Sequence, residues 1–393
     1  MPLNIDQYRK DTPGCELVLH FNNAGASLPV SSVTDSIKNH LDLEATMGGY
    51  EAADFAEDKI NQFYASAARL IHCKPEEIAF MENATRAWDM AFYSLNLNQG
   101  DKILTTSSEY VSNYLAFLNQ VKKTGVVIEL VANDAFGQID VADLENKIDK
   151  SVKLISLTHI PTNGGLVNPA QKVGAIAKKY GVTYLLDATQ SIGQMPIDVA
   201  TIGCDFLCAT GRKYLRGPRG TGFLFASNSI VDQCNPPFIE LQSAEWVSNN
   251  QYKLRPSAKR FETWEHSMAC KIGLGVAIDY ALSLDSLLAW DRIQYLAQLL
   301  RSKINSIPNL KLHDLGVNLC GIVTFSCSSK SAIEIQKLLS ANKINTSVSL
   351  REYSRLDMSA RNLSSMVRAS VHYYNTEDEI DIFCKQLALV CPY

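Results

Sequence analysis

Residues 183–222 read TYLLDATQSIGQMPIDVATIGCDFLCATGRKYLRGPRGTG, and this stretch decides the fold. A short β-rich run ends in Asp187, and the next such run is followed by a basic, glycine-rich loop that contains Lys213. Lys213 follows Asp187 by 26 residues, a length that suits one helix and one strand. Ligands bind outside the carboxyl ends of the strands in open parallel sheets. The stretch therefore predicts that Asp187 and Lys213 face one cavity.

The flanking sequence continues this alternation of strands and helices. From about residue 75 to 226, β-rich runs alternate with amphipathic stretches, such as 169–180, which opens with Pro and stops before Gly181. This pattern predicts a mostly parallel sheet covered on both faces. After residue 260, long helices dominate. We therefore expect an α/β fold, with a large domain over 31–260 and a smaller α+β domain formed by 1–30 and 261–393.

Composition limits the classes of function that this chain can have. Its 393 residues carry a net charge of −4, which argues against a broad basic face for nucleic acid. No apolar run approaches the length of a membrane-spanning helix, and the amino terminus lacks the apolar core of a secretory signal. The ten cysteines include no CxxC pair and, with the seven histidines, show no metal-ligand spacing. We expect a cytoplasmic protein with reduced thiols and no bound metal.

A lysine and a carboxylate at the ligand-binding edge of a sheet are the groups that pyridoxal phosphate requires. The amine forms a Schiff base with the cofactor, and the carboxylate keeps the pyridine nitrogen protonated, so that the ring can accept electrons. Taken alone, Lys213 and Asp187 better fit a solvated loop lysine and a helix N-cap. Their spacing and surroundings favour the cofactor.

Four strings, in chain order, carry a family resemblance: ENATRAW from residue 82, DATQSIGQMPID from 187, CDFLCATGRKYLRGPRGTGFLF from 204 and VRASVHYYNTEDEID from 367. Together they resemble the fold-type I pyridoxal phosphate enzymes of the class V aminotransferase group, which includes the cysteine desulfurases. The resemblance implies pyridoxal 5'-phosphate as cofactor, a small-molecule amino acid as substrate and a homodimer. Residues 48–50 and RFETWEHS (260–267) are candidates for crossing between its subunits.

The resemblance also assigns roles around the cofactor. Lys213 matches the lysine that bonds the cofactor, Asp187 matches the partner of the pyridine nitrogen, and Gln190 matches the donor to the phenolic oxygen. The other expected cofactor contacts are the phosphate turn at Ala84 and Thr85, the further phosphate ligands Thr210 and Arg212, the ring-stacking Tyr110, and Thr162 or Asn163 near the phenolic oxygen.

Two of these positions depart from the family pattern. Arg212 and Tyr110 stand where the family often has histidine. A guanidinium can bind phosphate in a bidentate fork. Tyrosine can stack on the ring, which places Tyr110 with Lys213 and Asp187 among the expected catalytic residues, and the alternative is a core aromatic.

The expected substrate contacts lie near the two ends of the chain. Arg368 matches the arginine that grips the substrate α-carboxylate. Asn23 resembles a residue that helps to hold the same carboxylate, and it also fits a simple turn former. Glu265 stands where the family carries a threonine that reaches the partner subunit's phosphate, with Thr263 two residues earlier. Which of these two contributes to that site stays open.

The reaction type depends on residues 345–367, NTSVSLREYSRLDMSARNLSSMV, where cysteine desulfurases carry their nucleophilic cysteine. This span contains no cysteine. We therefore expect a C–S lyase that releases sulfur by β-elimination from a cysteine conjugate or sulfoxide, similar to the ergothioneine-type sulfoxide lyase-like members. A class V aminotransferase, an amino-acid epimerase and a desulfurase-like enzyme with an atypical nucleophile remain alternatives. Intact Lys213 and Asp187 argue against a non-catalytic interaction module.

Overall fold

The computed structural model describes residues 3–392. The helices in this range are α1 (Ile5–Lys10), α2 (Ser31–Met47), α3 (Gly49–Phe55), α4 (Glu57–Ile71), α5 (Ala84–Tyr93), α6 (Val111–Thr124), α7 (Val141–Asn146), α8 (Ala170–Tyr180), α9 (Val199–Ile202), α10 (Asn228–Val231), α11 (Met268–Leu282), α12 (Ser286–Asn305), α13 (Ala332–Ala341), α14 (Arg355–Ala360) and α15 (Glu377–Val390). Short 3₁₀ turns occupy Pro13–Glu16, Pro75–Glu77, Ala258–Phe261 and Arg351–Tyr353.

The strands form two main sheets and two short two-stranded pairs. They are β1 (Leu19–His20), β2 (Ile78–Met81), β3 (Lys102–Thr105), β4 (Val127–Leu130), β5 (Val152–Thr158), β6 (Thr183–Asp187), β7 (Phe206–Thr210), β8 (Gly222–Ala226), β9 (Ala244–Ser248), β10 (Gln251–Leu254), β11 (Leu310–Leu312), β12 (Ile322–Cys327), β13 (Ile344–Asn345), β14 (Ser347–Leu350) and β15 (Ser365–Ser370).

The larger sheet has seven strands in the order β2-β8-β7-β6-β5-β3-β4. The neighbours from β7 to β4 run parallel, and β8 lies antiparallel to both β7 and β2. The strand β7, FLCAT, is buried along its whole length, as expected for a parallel strand covered on both faces. The predicted α/β class and mostly parallel sheet are confirmed.

Each face of this sheet packs against its own set of helices. On one face, Val173 of α8 and Leu274 of α11 share a core with Leu186 of β6. On the other face, Trp88 of α5 and Phe117 of α6 pack together with buried residues of the sheet. The helix α8 ends at Gly181, which adopts a positive φ of 66° and so terminates the helix, as its sequence predicts. The sheet edge between these two layers holds the site described below.

The smaller sheet, in the order β11-β12-β15-β14, is antiparallel. Phe21, from the amino-terminal segment, packs in its core against Phe383 of α15. Leu274 of α11 packs instead in the core of the larger sheet. The domain division at residue 260 stays a prediction. Because α11 packs on the larger sheet, we propose to move the boundary of the small domain to the end of α11.

Neither a membrane span nor a metal centre stands out in residues 3–392. No single helix there is long and apolar enough to cross a membrane, and α11 with α12 meets the length and composition requirement only as a pair bent by 86°. Within the same residues, no group of three histidine, cysteine or acidic side chains could hold a metal ion.

Candidate active site

A cavity of about 170 Å³ lies at the carboxyl ends of the central parallel strands. Thr158, Asp187 and Thr210 are the last residues of β5, β6 and β7, and all three face the cavity. The complete lining is Asn83, Ala84, Thr85, Tyr110, Asn113, Thr158, Ile160, Thr162, Asp187, Thr189, Gln190, Thr210, Arg212 and Lys213. The topology thus brings together residues that are as much as 130 positions apart in sequence, from Asn83 to Lys213.

Asp187 is buried, and the protein holds both of its carboxylate oxygens. The side-chain amide of Asn113 donates to Oδ2 at 3.0 Å, and the Thr189 backbone N–H donates to Oδ1 at 3.0 Å. Each oxygen keeps further acceptor capacity, because a carboxylate oxygen has two lone pairs. Asp187 is therefore preorganised to accept a hydrogen bond from a protonated ligand nitrogen.

Lys213 is buried at the same cavity, three residues beyond β7. Burial, together with the positive charges of Arg212 and Arg368, lowers the pKa of its amine to about 7, and the charge of Asp187 opposes this shift. An amine with this pKa is largely neutral just above pH 7. Neutral amines are nucleophilic and accept protons, so Lys213 is suited both to Schiff-base formation and to general-base catalysis.

One rim of the cavity has the geometry of an anion site. The helix α5 begins there at Ala84 and Thr85, and the Asn83 side chain caps it by accepting a hydrogen bond from the Arg86 N–H at 2.9 Å. The first-turn N–H groups of a helix and its dipole together favour a phosphate. Thr210 faces the same cavity, and its hydroxyl donates to the Thr221 carbonyl at 3.2 Å.

Arg212 lines the cavity and donates a hydrogen bond to the carbonyl of Gly25 in the amino-terminal segment. Burial lowers the pKa of its guanidinium. The predicted contact between Arg212 and the phosphate stays a prediction. Tyr110 also lines the cavity, as the N-cap residue of α6, and its stacking on the cofactor ring stays a prediction.

Gln190 and Thr162 lie beside each other at the cavity wall. The Gln190 amide donates to the Thr162 hydroxyl at 2.9 Å and to the Ala24 carbonyl at 3.0 Å. Of the two residues that the sequence left open near the phenolic oxygen, Thr162 lines the cavity, whereas Asn163 is buried outside the lining.

Arg368, on β15, reaches the cavity wall through Thr162. Its Nη1 donates to the Thr162 carbonyl at 3.1 Å and to the Thr162 hydroxyl at 2.7 Å. The side chain is 8 % exposed, and its Nε has no hydrogen-bond partner. Burial lowers the pKa of the guanidinium to about 10. A buried cation with a free donor is suited to binding a carboxylate.

The substrate contact predicted for Asn23 stays a prediction. Asn23 is fully buried, and its side-chain amide donates to the carbonyl of Ser370 at 2.8 Å while its oxygen accepts from the Tyr374 hydroxyl. These contacts fasten the amino-terminal segment to the smaller sheet. Both polar atoms of the Asn23 side chain thus have partners within the protein.

Near the segment RFETWEHS, Thr263 donates to Glu82 at 3.2 Å and Glu265 is exposed. The role of either residue toward a partner subunit stays a prediction. Sequence reasoning assigned no role to four polar residues at the cavity, Asn83, Asn113, Thr158 and Thr189. Asn83 carried a signal, because an asparagine directly before a predicted helix is a strong N-cap.

The fold and the cavity together define a pyridoxal-phosphate-dependent enzyme of the aminotransferase type. The aminotransferase class-V family model matches residues 18–383. The chain therefore belongs to the class V aminotransferase family, acts on an amino acid and uses pyridoxal 5'-phosphate. The resemblance predicted from its motifs is confirmed at the level of the family.

Individual relatives give a narrower picture. A probable cysteine desulfurase of Methanothermobacter thermautotrophicus is 27 % identical over 391 residues, which cover 98 % of each chain. The structure of a cysteine desulfurase from Thermococcus onnurineus superposes with a TM-score of 0.92 at 26 % identity, covering 100 % of this chain and 98 % of that one. A cystine C–S lyase, solved with cysteine persulfide, has the same fold, with a TM-score of 0.87 at 22 % identity and coverage of 97 % and 100 %.

The residues present at the cavity fit this cofactor. Two buried polar atoms of lining residues, Gln190 Oε1 and Thr189 Oγ1, have no hydrogen-bond partner. A polar ligand in the cavity would supply partners, which buried polar atoms require. Lys213 would hold the aldehyde carbon, Asp187 the pyridine nitrogen and the start of α5 the phosphate.

Proposed function

We propose that the protein is a C–S lyase that eliminates the sulfur substituent of a cysteine conjugate or a cysteine sulfoxide. The observation that carries this proposal is the absence of a cysteine where a persulfide-forming nucleophile is needed. Residues 345–367 contain none, and no cysteine is among the described residues that line the cavity. Without such a thiol, sulfur must leave to solvent.

The two cysteines that precede this span, Cys320 and Cys327, are poorly placed to replace the missing nucleophile. Cys320 is fully buried, and burial raises the pKa of its thiol to about 12, which leaves almost no thiolate at neutral pH. Cys327 ends β12, five residues beyond Ile322. Five strand residues span about 16 Å. Since Ile322 shares a small core with Ile160 of the cavity wall, Cys327 lies at the far end of its strand.

The side chains of the site can carry out the steps that elimination requires. Arg368 binds the substrate carboxylate and so fixes the orientation of Cα. The free amine of Lys213, with its lowered pKa, takes the proton from Cα. Asp187 holds a proton on the pyridine nitrogen. When bound, pyridoxal phosphate supplies the electron sink that makes the Cα proton of the substrate removable.

A cysteine desulfurase with a nucleophile outside the usual span is the second candidate. It is supported by the names of relatives, since the archaeal sequence that covers 98 % of this chain is named a probable cysteine desulfurase. Both candidates begin with the same proton removal and differ in where sulfur goes. A desulfurase transfers sulfur to a protein thiol and releases alanine, whereas a lyase leaves no sulfur on the protein.

The decisive experiment incubates the holoenzyme with cysteine, cystine, S-alkylcysteines and cysteine sulfoxides, and measures all products. The proposal predicts pyruvate, ammonia and the sulfur product in equal amounts from at least one of these substrates. Alanine with protein-bound persulfide would establish the desulfurase instead. A keto acid that retains the substrate's sulfur would indicate transamination, and a racemised substrate would indicate epimerisation.

We also propose that the enzyme is a cytoplasmic homodimer. All ten cysteines are free thiols, as expected in a reducing compartment. Trp246 in the hairpin of β9 and β10 is 79 % exposed, and Tyr50 of α3 is 75 % exposed. Large exposed aromatic side chains are enriched at protein interfaces. Light scattering that gives the mass of a single chain for the active enzyme would refute the dimer.

A further inference from the structure

A second buried carboxylate, Glu109, lies behind Asp187. It directly precedes the N-cap of α6 and is 4 % exposed. Asn113, in the first turn of α6, joins the two acids, because its side-chain amide donates to Glu109 Oε1 and to Asp187 Oδ2, each at 3.0 Å. An amide nitrogen carries two hydrogens, one for each carboxylate. Glu109 is therefore linked to the cofactor site through a single side chain.

The surroundings of Glu109 are those of an ionised carboxylate. Besides Asn113, the backbone N–H of Tyr110 donates to Oε1 at 2.8 Å, and the hydroxyl of Thr105 donates to Oε2 at 2.9 Å. Hydroxyls of Thr158 and Ser156 add to this set. Oε1 accepts hydrogen bonds from two N–H groups, which can only donate. A proton on Oε1 would therefore find no acceptor in either of them. None of these partners is a cation.

Keeping this charge is costly, since burying an ion without a counter-charge is strongly unfavourable. Burial raises the pKa of Glu109, the hydrogen bonds from Thr158 and Asn113 oppose this effect, and the neighbouring Asp187 raises the pKa further. Two carboxylates held this close repel each other. Anchoring the start of α6 would not require a carboxylate so close to Asp187, which points to a role at Asp187.

We propose that Glu109 is a positioning residue for the cofactor: through Asn113 it holds the carboxylate of Asp187, and its negative charge makes Asp187 keep the pyridine nitrogen protonated. The physical reason is that a second negative charge behind Asp187 raises the proton affinity of the site in front of it. The inference rests on the class of cofactor and does not depend on the fate of the sulfur.

The other titratable groups facing this pair do not cancel the effect. Cys208 of β7 lies next to both acids, and its thiol is neutral, because burial and the two carboxylates raise its pKa well above the usual value. Lys213 shares the cavity with Asp187, and because burial lowers the pKa of its amine to about 7, it carries little positive charge above neutral pH. Thr189 supplies only a neutral backbone N–H to Asp187.

The test replaces Glu109 by glutamine in the holoenzyme and follows the pyridine nitrogen directly. NMR of bound cofactor labelled with ¹⁵N at that position reports its protonation as a function of pH. In Glu109→Gln, we expect the pKa of the pyridine nitrogen to lie about one unit below its value in the wild type. A shift of this size is typical when one nearby charge is removed. Turnover should fall about tenfold, with little change in KM, since one unit corresponds to a factor of ten.

Asn113→Ala separates positioning from charge. This variant removes a donor from Asp187 but keeps the negative charge of Glu109, so the pyridine nitrogen should keep its proton to higher pH than in the wild type. The affinity for the cofactor should fall, because Asp187 loses its fixed orientation. The two variants therefore move the ¹⁵N titration in opposite directions, which a loss of packing alone cannot do.

Glu262→Gln is the matched control. Glu262 is 2 % exposed, and it accepts hydrogen bonds from the Tyr64 hydroxyl at 2.8 Å and the Phe80 N–H at 2.7 Å, outside the cavity. This variant should lower the melting temperature and leave the ¹⁵N titration unchanged. The proposal is overturned if Glu109→Gln behaves like this control. Should Glu109→Gln fail to fold, an unchanged or lowered ¹⁵N titration in Asn113→Ala overturns it.

Discussion

Asp187 ends β6, and Lys213 follows β7, the hydrogen-bonded neighbour of β6, by three residues, so that one cavity receives both side chains. The register pairs Asp187 directly with Cys208. The chain between the two residues consists of a turn, the four-residue helix α9 and β7 itself. The loop that carries Lys213 is closed by the Arg216 N–H, which donates to the Lys213 carbonyl. Local structure thus fixes the lysine relative to the carboxylate.

We expect the purified enzyme to be yellow, with its cofactor attached to Lys213. Lys213 is a buried lysine of the cavity, and the lowered pKa of its amine favours bond formation near neutral pH. Borohydride should abolish the visible absorption band and leave one reduced adduct that peptide mass spectrometry locates. Finding the adduct on a different lysine would exclude this assignment.

Arg212→Gln should move the acid limb of the pH profile of turnover to higher pH. Lys213 acts as a base when neutral, and after burial the charge of Arg212 is the largest contribution that lowers the pKa of its amine. Without that charge, the amine holds its proton more tightly, so more alkaline conditions are needed to free it. The measurement is kcat against pH with saturating cofactor.

Arg219→Gln is the control for this shift. Arg219 lies on the same loop and is exposed, where solvent screens its charge. Its removal should leave the limb where the wild type has it. An Arg212→Gln profile that coincides with the wild type would show that Arg212 does not act on Lys213.

Asp187→Asn should keep the fold and lose at least about 10²-fold in kcat, the usual effect of removing one preorganised electrostatic contact. A neutral amide cannot hold the pyridine nitrogen protonated while negative charge develops on the ring. Asp205→Asn, at the start of the adjacent strand, removes a carboxylate that accepts from the Tyr184 N–H. That variant should retain turnover, and near wild-type activity of Asp187→Asn would disprove the pairing.

Arg368→Ala should weaken binding of amino-acid substrates by about 2–5 kcal/mol, the range for truncating one partner of a buried charge pair. Arg368→Lys keeps the charge but lacks the planar fork, so it should recover only part of the loss. Binding is measured by the spectral change on adding substrate. An amine without a carboxylate serves as the control, and it should bind wild type and both variants equally.

The central pair could be predicted from sequence because its spacing is local. Asp187 and Lys213 belong to adjacent strands, and the end of α8 at Gly181 follows from one residue's conformational freedom. The hydrogen bonds of Asn23 could not be predicted, because its partners Ser370 and Tyr374 lie about 350 positions away. Periodicity carries no information about such distant hydrogen bonds.

The network behind Asp187 escaped prediction for the same reason. The string TTSSEYVSN places Glu109 and Asn113 four residues apart, which is one helical turn. That spacing shows that the two side chains can meet. It does not show that β6 brings Asp187 to the same amide, which only the order of strands in the sheet decides.

Replacing each cysteine by serine, one at a time, should leave C–S cleavage intact. No cysteine lies in 345–367, and Cys15, Cys204 and Cys384 are buried thiols whose pKa values burial raises. Cys327 is the informative position, because hydrogen bonds from Ser329 outweigh its partial burial and lower the pKa of its thiol. If sulfur leaves by β-elimination, Cys327→Ser keeps its rate and yields pyruvate and ammonia in equal amounts. If the variant instead stops releasing sulfur while still binding substrate, a relocated persulfide nucleophile has been found, and the enzyme is a desulfurase.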